Sequence, residues 1–217
     1  MGLLTDPAAI AGLVTREVRT SERQGKITRI AVARRTYATD PDDLWETLTD
    51  IDRIPRWFLP ITGELALGGR YQLEGNAGGV VEECERPKRF AVTWEMGAMI
   101  SWLEIRLGPG PGGTELELVH EAPVDPEMWT QFGPGAVGVG WDLGLMGLGL
   151  HLETRAAVDP AVGLEFPLSP EGLVFVRTAS AGWAAAAIAD GDDPAQAHAA
   201  AEATTGFYTV APEEPQP

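Results

Sequence analysis

Through the middle of the chain apolar and polar positions alternate in short runs, and near residue 135 this period of two gives way to a helical one. Leu103, Ile105 and Leu107 fall on one side of an extended run, with Trp102, Glu104 and Arg106 on the other. Leu116, Leu118 and His120 likewise oppose Glu115, Glu117, Val119 and Glu121. Successive strand side chains point to opposite faces, so the pattern predicts a sheet with one face in a core and one in water. Extended runs at 70–74, 80–85, 90–95, 99–107 and 114–121 are separated by turn signals at 68–69, 75–79, 86–88, 96–97 and 108–113, the signature of an antiparallel meander. Ahead of it, runs at 14–22 and 27–37 flank Gln24-Gly25-Lys26 and predict a hairpin.

Helix signals sit on either side. Asp6-Pro7 opens two turns over 8–13, and Asp40-Pro41-Asp42-Asp43 places a cap, a proline at the first helical position and acidic groups for a helix to Leu48. A shorter helix follows from Asp50 towards Pro55. The long helix starts at Gly133-Pro134. Val137, Trp141, Leu145, Leu148 and Leu152 form one stripe, Val139, Leu143, Met146 and Leu150 a second, and Ala136, Gly140 and Gly144 a small third face. Each interior glycine costs roughly 0.5–1 kcal/mol against alanine, so their density needs a cause. Close backbone approach and space left for a ligand both satisfy it. Residues 132–152 imitate a membrane span, but seven glycines, a central Asp142 and the lack of close Lys or Arg flanks argue against insertion. Ser169-Pro170 starts a helix through 189 and Asp193-Pro194-Ala195-Gln196 another through 208. Their few large anchors are Trp183, Phe207 and Tyr208, so these alanine-rich helices are expected to lie against the main domain or, as a homodimer interface, against a second copy. Residues 210–217 read as a disordered, acidic, proline-rich tail.

Composition narrows the function. Of 217 residues, 32 are acidic and 16 basic, and the basic excess is confined to residues 1–36, with 7 basic against 3 acidic. A net charge of -16 argues against nucleic acid, whose phosphates require clustered cations. Cys84 is the only cysteine, which excludes an intrachain disulfide and a cysteine-rich zinc cluster and points to a cytoplasmic setting. No secretory signal pattern opens the sequence, and no stable membrane insertion is expected. His120, His151 and His198 have no metal-ligand spacing, and no lysine follows the glycines at 75–79 as in a phosphate loop, so neither a metal nor a cofactor is expected.

Specific motifs add to this reading. Trp57-Phe58-Leu59-Pro60, Gly68-Gly69-Arg70-Tyr71, Gly75-Asn76-Ala77, Thr93-Trp94-Glu95, Ser101-Trp102 and the run from Gly133-Pro134 to Trp141-Asp142 resemble the START-like (SRPBCC) superfamily. Within it, the chain is similar to bacterial members of the branch named for the activator of heat-shock-protein-90 ATPase, over about 28–153. The resemblance implies an α+β helix-grip fold, a curved antiparallel sheet wrapped around a long C-terminal helix. Residues 1–27 would add a helix and an extra strand, and 154–209 a helical extension. It also implies a cavity between sheet and helix for a hydrophobic small molecule or lipid. Tyr71, Trp94, Ser101 and His120 would line it with Leu103, Leu118, Trp141 and Leu145, and Trp57 and Phe58 would stand at its entrance. Non-catalytic binding is the leading expectation. A polyketide-cyclase-like enzyme and a co-chaperone-like interaction domain remain alternatives.

The chemical candidates have plainer readings beside these. His120 is either a polar contact or general base at one end of the cavity, or a satisfied structural histidine, which is favoured. Asp142 is a buried acid or base with a raised pKa or, preferred, a solvated or structurally bonded carboxylate. Arg70 and Glu95 steer a polar ligand group or, more simply, form a cross-strand ion pair.

Overall fold

Eight strands form one antiparallel sheet in the order β1-β2-β8-β7-β6-β5-β4-β3. The structure, a computed structural model, describes residues 6–210 apart from the side chains of residues 160–162. The strands are β1 (Thr15–Arg23), β2 (Lys26–Tyr37), β3 (Ile61–Gly63), β4 (Arg70–Leu73), β5 (Gly78–Glu85), β6 (Arg89–Met96), β7 (Met99–Gly110) and β8 (Gly113–Pro123). The hairpin turns at Gln24 and Gly25, both at positive φ. Register then fixes the faces: Ala31 pairs with His120, Ala33 with Leu118, Leu103 with His120 and Ile105 with Leu118, which puts all of them on the concave side.

The convex side carries charge instead. From β1 to β5 runs a ladder of alternating sign: Glu17 to Arg34 at 2.9 Å, Arg34 to Glu117 at 2.6 Å, Glu117 to Arg106 at 2.9 Å, then Arg106 to Glu104, Arg89 and Glu83. Neighbouring groups of opposite sign on adjacent strands favour this register. The Arg19 hydrogen bond, with help from Arg34, holds Glu17 down to about 2 against the opposing effect of burial.

The concave side is closed by helices. They are α1 (Pro7–Gly12), α2 (Pro41–Thr49), α3 (Pro126–Phe132), α4 (Gly135–Thr154), α5 (Pro160–Glu165), α6 (Pro170–Ala189) and α7 (Pro194–Thr209). The predicted caps form: Asp6, Asp40, Ser169 and Asp193 each accept a backbone N–H of the first turn. The long glycine-rich helix is α4, and it lies between the sheet and α6. Leu145 and Leu148 of α4 join the main core with Leu116 and Leu118. On the opposite side α6 covers β1 and α1, and its Trp183 is 1% exposed. Anchored in this way, α6 and α7 pack within their own chain. Among the described residues α6 alone is long and apolar enough to cross a membrane, and half of it is buried in this packing.

Five elements depart from the sequence reading. β3 has only three residues and no alternation to announce it. α3 was overlooked although Asp125-Pro126 repeats the cap signal used elsewhere, with Asp125 accepting from Glu127 and Met128. α5 and a 3-10 turn at Phe166–Leu168 occupy the stretch between the long helix and Pro170, for which no element was expected. The second short helix is a single 3-10 turn, Ile54–Arg56. After Val210 the expected tail lies outside the described residues.

Candidate functional site

The glycine question resolves by position along α4. A Cβ on Gly138 would sit 2.2 Å from the Trp183 ring, and one on Gly149 would sit 2.5 Å from the Arg35 guanidinium. These glycines permit close approach. Gly140 and Gly144 instead line a cavity of about 1290 Å³ between α4 and the sheet; Gly147 lines it too, but a Cβ there would sit 2.9 Å from the Trp57 carbonyl oxygen. Ligand sites usually measure about 300–1,000 Å³, so this space suits a molecule larger than a single ring.

Of the ten residues singled out in the sequence, Trp57, Phe58, Trp94, Ser101, His120 and Trp141 line this outer cavity. Tyr71, Leu103, Leu118 and Leu145 line a separate inner chamber of about 100 Å³, deeper between helix and sheet. Trp57, Phe58, Trp94 and Trp141 border both spaces, so the two rings expected at the entrance stand at an internal boundary. That boundary is a layer of rings: Trp57 stacks on Phe58 at 5.3 Å, Phe58 on Trp141 at 6.3 Å, and Trp94 meets Trp141 edge-on at 5.0 Å.

His120 fixes that layer. The Trp141 indole N–H can only donate, and it donates to His120 Nδ1 at 2.9 Å. The imidazole proton is therefore on Nε2, which donates to Ser101 Oγ at 2.8 Å, and Ser101 in turn donates to the Trp94 carbonyl at 3.1 Å. Burial pushes the His120 pKa down to about 4, so the ring is neutral at physiological pH with both nitrogens engaged. It is a satisfied polar anchor in the cavity wall.

Asp142 takes the structurally bonded form of the preferred reading and not the solvated one. It is fully buried, and its Oδ2 accepts from Arg16 Nε at 3.1 Å and Trp183 Nε1 at 2.8 Å. Burial raises its pKa to about 6, against the opposing pull of Arg16 and Trp183. It lines neither space, so it is a pin: one carboxylate of α4 ties β1 on one side and α6 on the other. Arg70 and Glu95 make the simpler ion pair, 2.9 Å long, reaching across the glycines of β5. The Thr93 hydroxyl and Arg70 keep Glu95 below the usual carboxylate range. Among the described residues, no three His, Cys, Asp or Glu side chains converge as a metal site.

Sequence reasoning missed the cavity rim. Met96, Met99 and Ile100 around the β6–β7 turn, Val137 of α4, Leu164 of α5 and Phe207 of α7 line it, and all are exposed. Two methionines and an isoleucine at a turn, where polar residues are usual, were the available signal. The hairpin contributes Arg23, Gln24 and Lys26 to the same rim, and Tyr208 donates to the Ala136 carbonyl at 2.9 Å beside it. The N-terminal hairpin and the C-terminal helices thus supply part of the cavity wall.

A curved sheet gripping a long helix over an internal cavity defines a START-like (SRPBCC) helix-grip protein. Residues 38–153, just over half of the chain, match the family described as Activator of Hsp90 ATPase homolog 1-like protein, and the chain belongs to that family. It is similar to CalU16 from Micromonospora echinospora, with 30% identity over 80% of this chain and 97% of that one in the crystal structure, at a TM-score of 0.62. Against the solution structure of CalU16 the TM-score is 0.67, over 82% of this chain and 96% of that one. The CalU16 match therefore extends beyond the family segment. MLL2253 from Mesorhizobium loti shares the fold at 22% identity and a TM-score of 0.51, over 60% of this chain and all of that one. No curated protein matches the chain.

Proposed function

We propose that the protein is a non-catalytic carrier or receptor for a hydrophobic small molecule or lipid, held between α4 and the sheet. The observation that carries this reading is the outer cavity, walled by Trp57, Phe58, Trp94 and Trp141, floored by the small Ala136, Gly140 and Gly144 face of α4 and rimmed by exposed apolar residues. Large apolar pockets with a few fixed polar groups are the usual form of such sites. None of the three titratable groups singled out in the sequence offers a free base to the cavity, which supports binding over catalysis. His120 has no lone pair to spare, Asp142 is sealed off from the cavity, and Glu95 is tied to Arg70 at the surface. A cyclase-type reaction would need an acid and a base converging on one substrate. The negative charge and the single free cysteine fit a cytoplasmic protein with no nucleic-acid partner. The residues of 1–27 and 154–209 act as accessory walls to the family core. Native mass spectrometry after gentle purification, with a fluorescent-lipid screen alongside, tests the reading. A retained or added apolar molecule at one per chain is expected. A chain that retains nothing and takes up no probe would contradict it.

A further inference from the structure

The inner chamber is the feature that cavity binding alone leaves unexplained. Its wall is almost wholly apolar: Leu103, Leu116, Leu118, Leu145 and Leu148 with Val92, Phe90 and Ile105. The polar groups around it are used elsewhere. Tyr71 donates to the Thr93 carbonyl, Trp57 Nε1 to the Thr47 carbonyl, and Thr49 to the Trp45 carbonyl. Buried water requires about 2–4 polar partners, and among the described residues around the chamber only the indole N–H groups of Trp45 and of Trp94, the latter on the boundary, have no partner. A chamber of this kind stays dry. Its volume of about 100 Å³ is of the same order as the roughly 150 Å³ apolar cavity that takes up benzene or xenon.

The partition decides how the chamber is reached. Trp57, Phe58, Trp94, Trp141 and Gly144 line both spaces. Trp141 is tethered to His120, and Trp57 to Thr47. Phe58 has no polar tether, and its ring is the nearest group to the open face of Gly144, 3.5 Å from where a Cβ would lie. Phe58 is held at the boundary only by its stacking on Trp57 and Trp141.

We propose that the inner chamber is a second subsite, which takes a compact, purely apolar terminus such as a single phenyl ring or a branched alkyl group, on a ligand whose larger part occupies the outer cavity. This rests on the reading of the outer cavity as a binding site. Within that reading it names the ligand as two-part, with an apolar inner end and an acceptor tolerated only at the Trp45 or Trp94 N–H.

Two arms of one experiment on the full chain separate this claim from the one beneath it. In the first, pyrene and pyrene bearing a 4-phenylbutyl arm are titrated by fluorescence into the native protein and into Val92→Phe and Leu116→Phe, which narrow the inner chamber and touch none of the outer lining. The arm is expected to tighten binding by about tenfold or more in the native chain and to give no gain in either variant, while pyrene itself binds all three equally. In the second, benzene is followed by methyl NMR. The inner Leu103, Leu116, Leu118 and Leu148 methyls should shift in the native protein ahead of the outer Val137, Leu143 and Leu150. An arm that gives no gain, or a gain that survives in both filled variants, overturns the proposal, as do inner methyls that benzene leaves unmoved. Failure of pyrene to bind would count against the outer cavity, and the benzene arm would then decide the inner chamber alone. Should one variant fail to fold, the other carries the comparison.

Discussion

Replacing Asp142 by asparagine sets two opposing terms against each other. The carboxylate is fully buried, with one oxygen shared by Arg16 and Trp183 and the other without a partner. Breaking a buried ion pair by removing one member often costs about 3–5 kcal/mol, which would make Asp142→Asn destabilising at neutral pH. Burial is the larger influence here, because it raises the pKa from 3.8 to about 6 in spite of the guanidinium. That rise corresponds to about 3 kcal/mol favouring the neutral form in the folded state. A carboxylic acid whose folded pKa is raised contributes its stability below pH 3.8 and loses it as pH rises through about 6. Asparagine keeps the shape of the neutral acid and an oxygen for both donors. The variant should therefore match the native protein near pH 3.5 and exceed it by about 3 kcal/mol at pH 7.5. Urea unfolding of both chains across that range reads the difference directly. A variant less stable than the native chain at pH 7.5, or a difference that does not change with pH, would show that the pair outweighs burial and refute the reasoning.

His120 should behave in the opposite sense. Its folded pKa of about 4, depressed by burial, means that its contribution is present above pH 6.5 and is lost as pH falls towards 4; native stability relative to His120→Gln should drop by about 3 kcal/mol over that window, and a flat difference would contradict the buried neutral imidazole. The glycines of the helices should split by surroundings. Gly138→Ala drives a methyl into the Trp183 ring and should cost about 1–3 kcal/mol. Gly206→Ala, in the interior of α7 with nothing within 4 Å, should gain about 0.5–1 kcal/mol. Thermal melts of the pair, moving in opposite directions, check both.

Local signals made most of the fold legible. A cap residue followed by proline marks α1, α2, α6 and α7, and the same signal stood unused at Asp125-Pro126. Alternation placed His120 beside Leu118 on the concave face, since strand period alone determines it. What could not be read depends on contacts between distant segments. Asp142 meets Arg16 from 126 residues earlier and Trp183 from 41 later, so nothing around Asp142 in the sequence distinguishes a pinned carboxylate from a solvated one. The division into two chambers follows from the rotamers of Trp57, Phe58, Trp94 and Trp141. Helical spacing grouped Ala136, Gly140 and Gly144 correctly as a face. Only the packing of Trp183 and Arg35 showed that Gly138 and Gly149 serve closeness while Gly140 and Gly144 leave room.

The most direct test of the central claim uses that room. At Gly144 a Cβ meets only the Phe58 ring, at an ordinary 3.5 Å, so Gly144→Leu can fold while its side chain takes up space at the junction of the two chambers between α4 and the sheet. Pyrene titrated into both proteins should bind the native chain saturably at one per chain and bind Gly144→Leu at least about tenfold more weakly, with circular dichroism unchanged between the two. Equal binding by both proteins, or none by the native chain, would contradict a ligand held between the glycine face of α4 and the sheet.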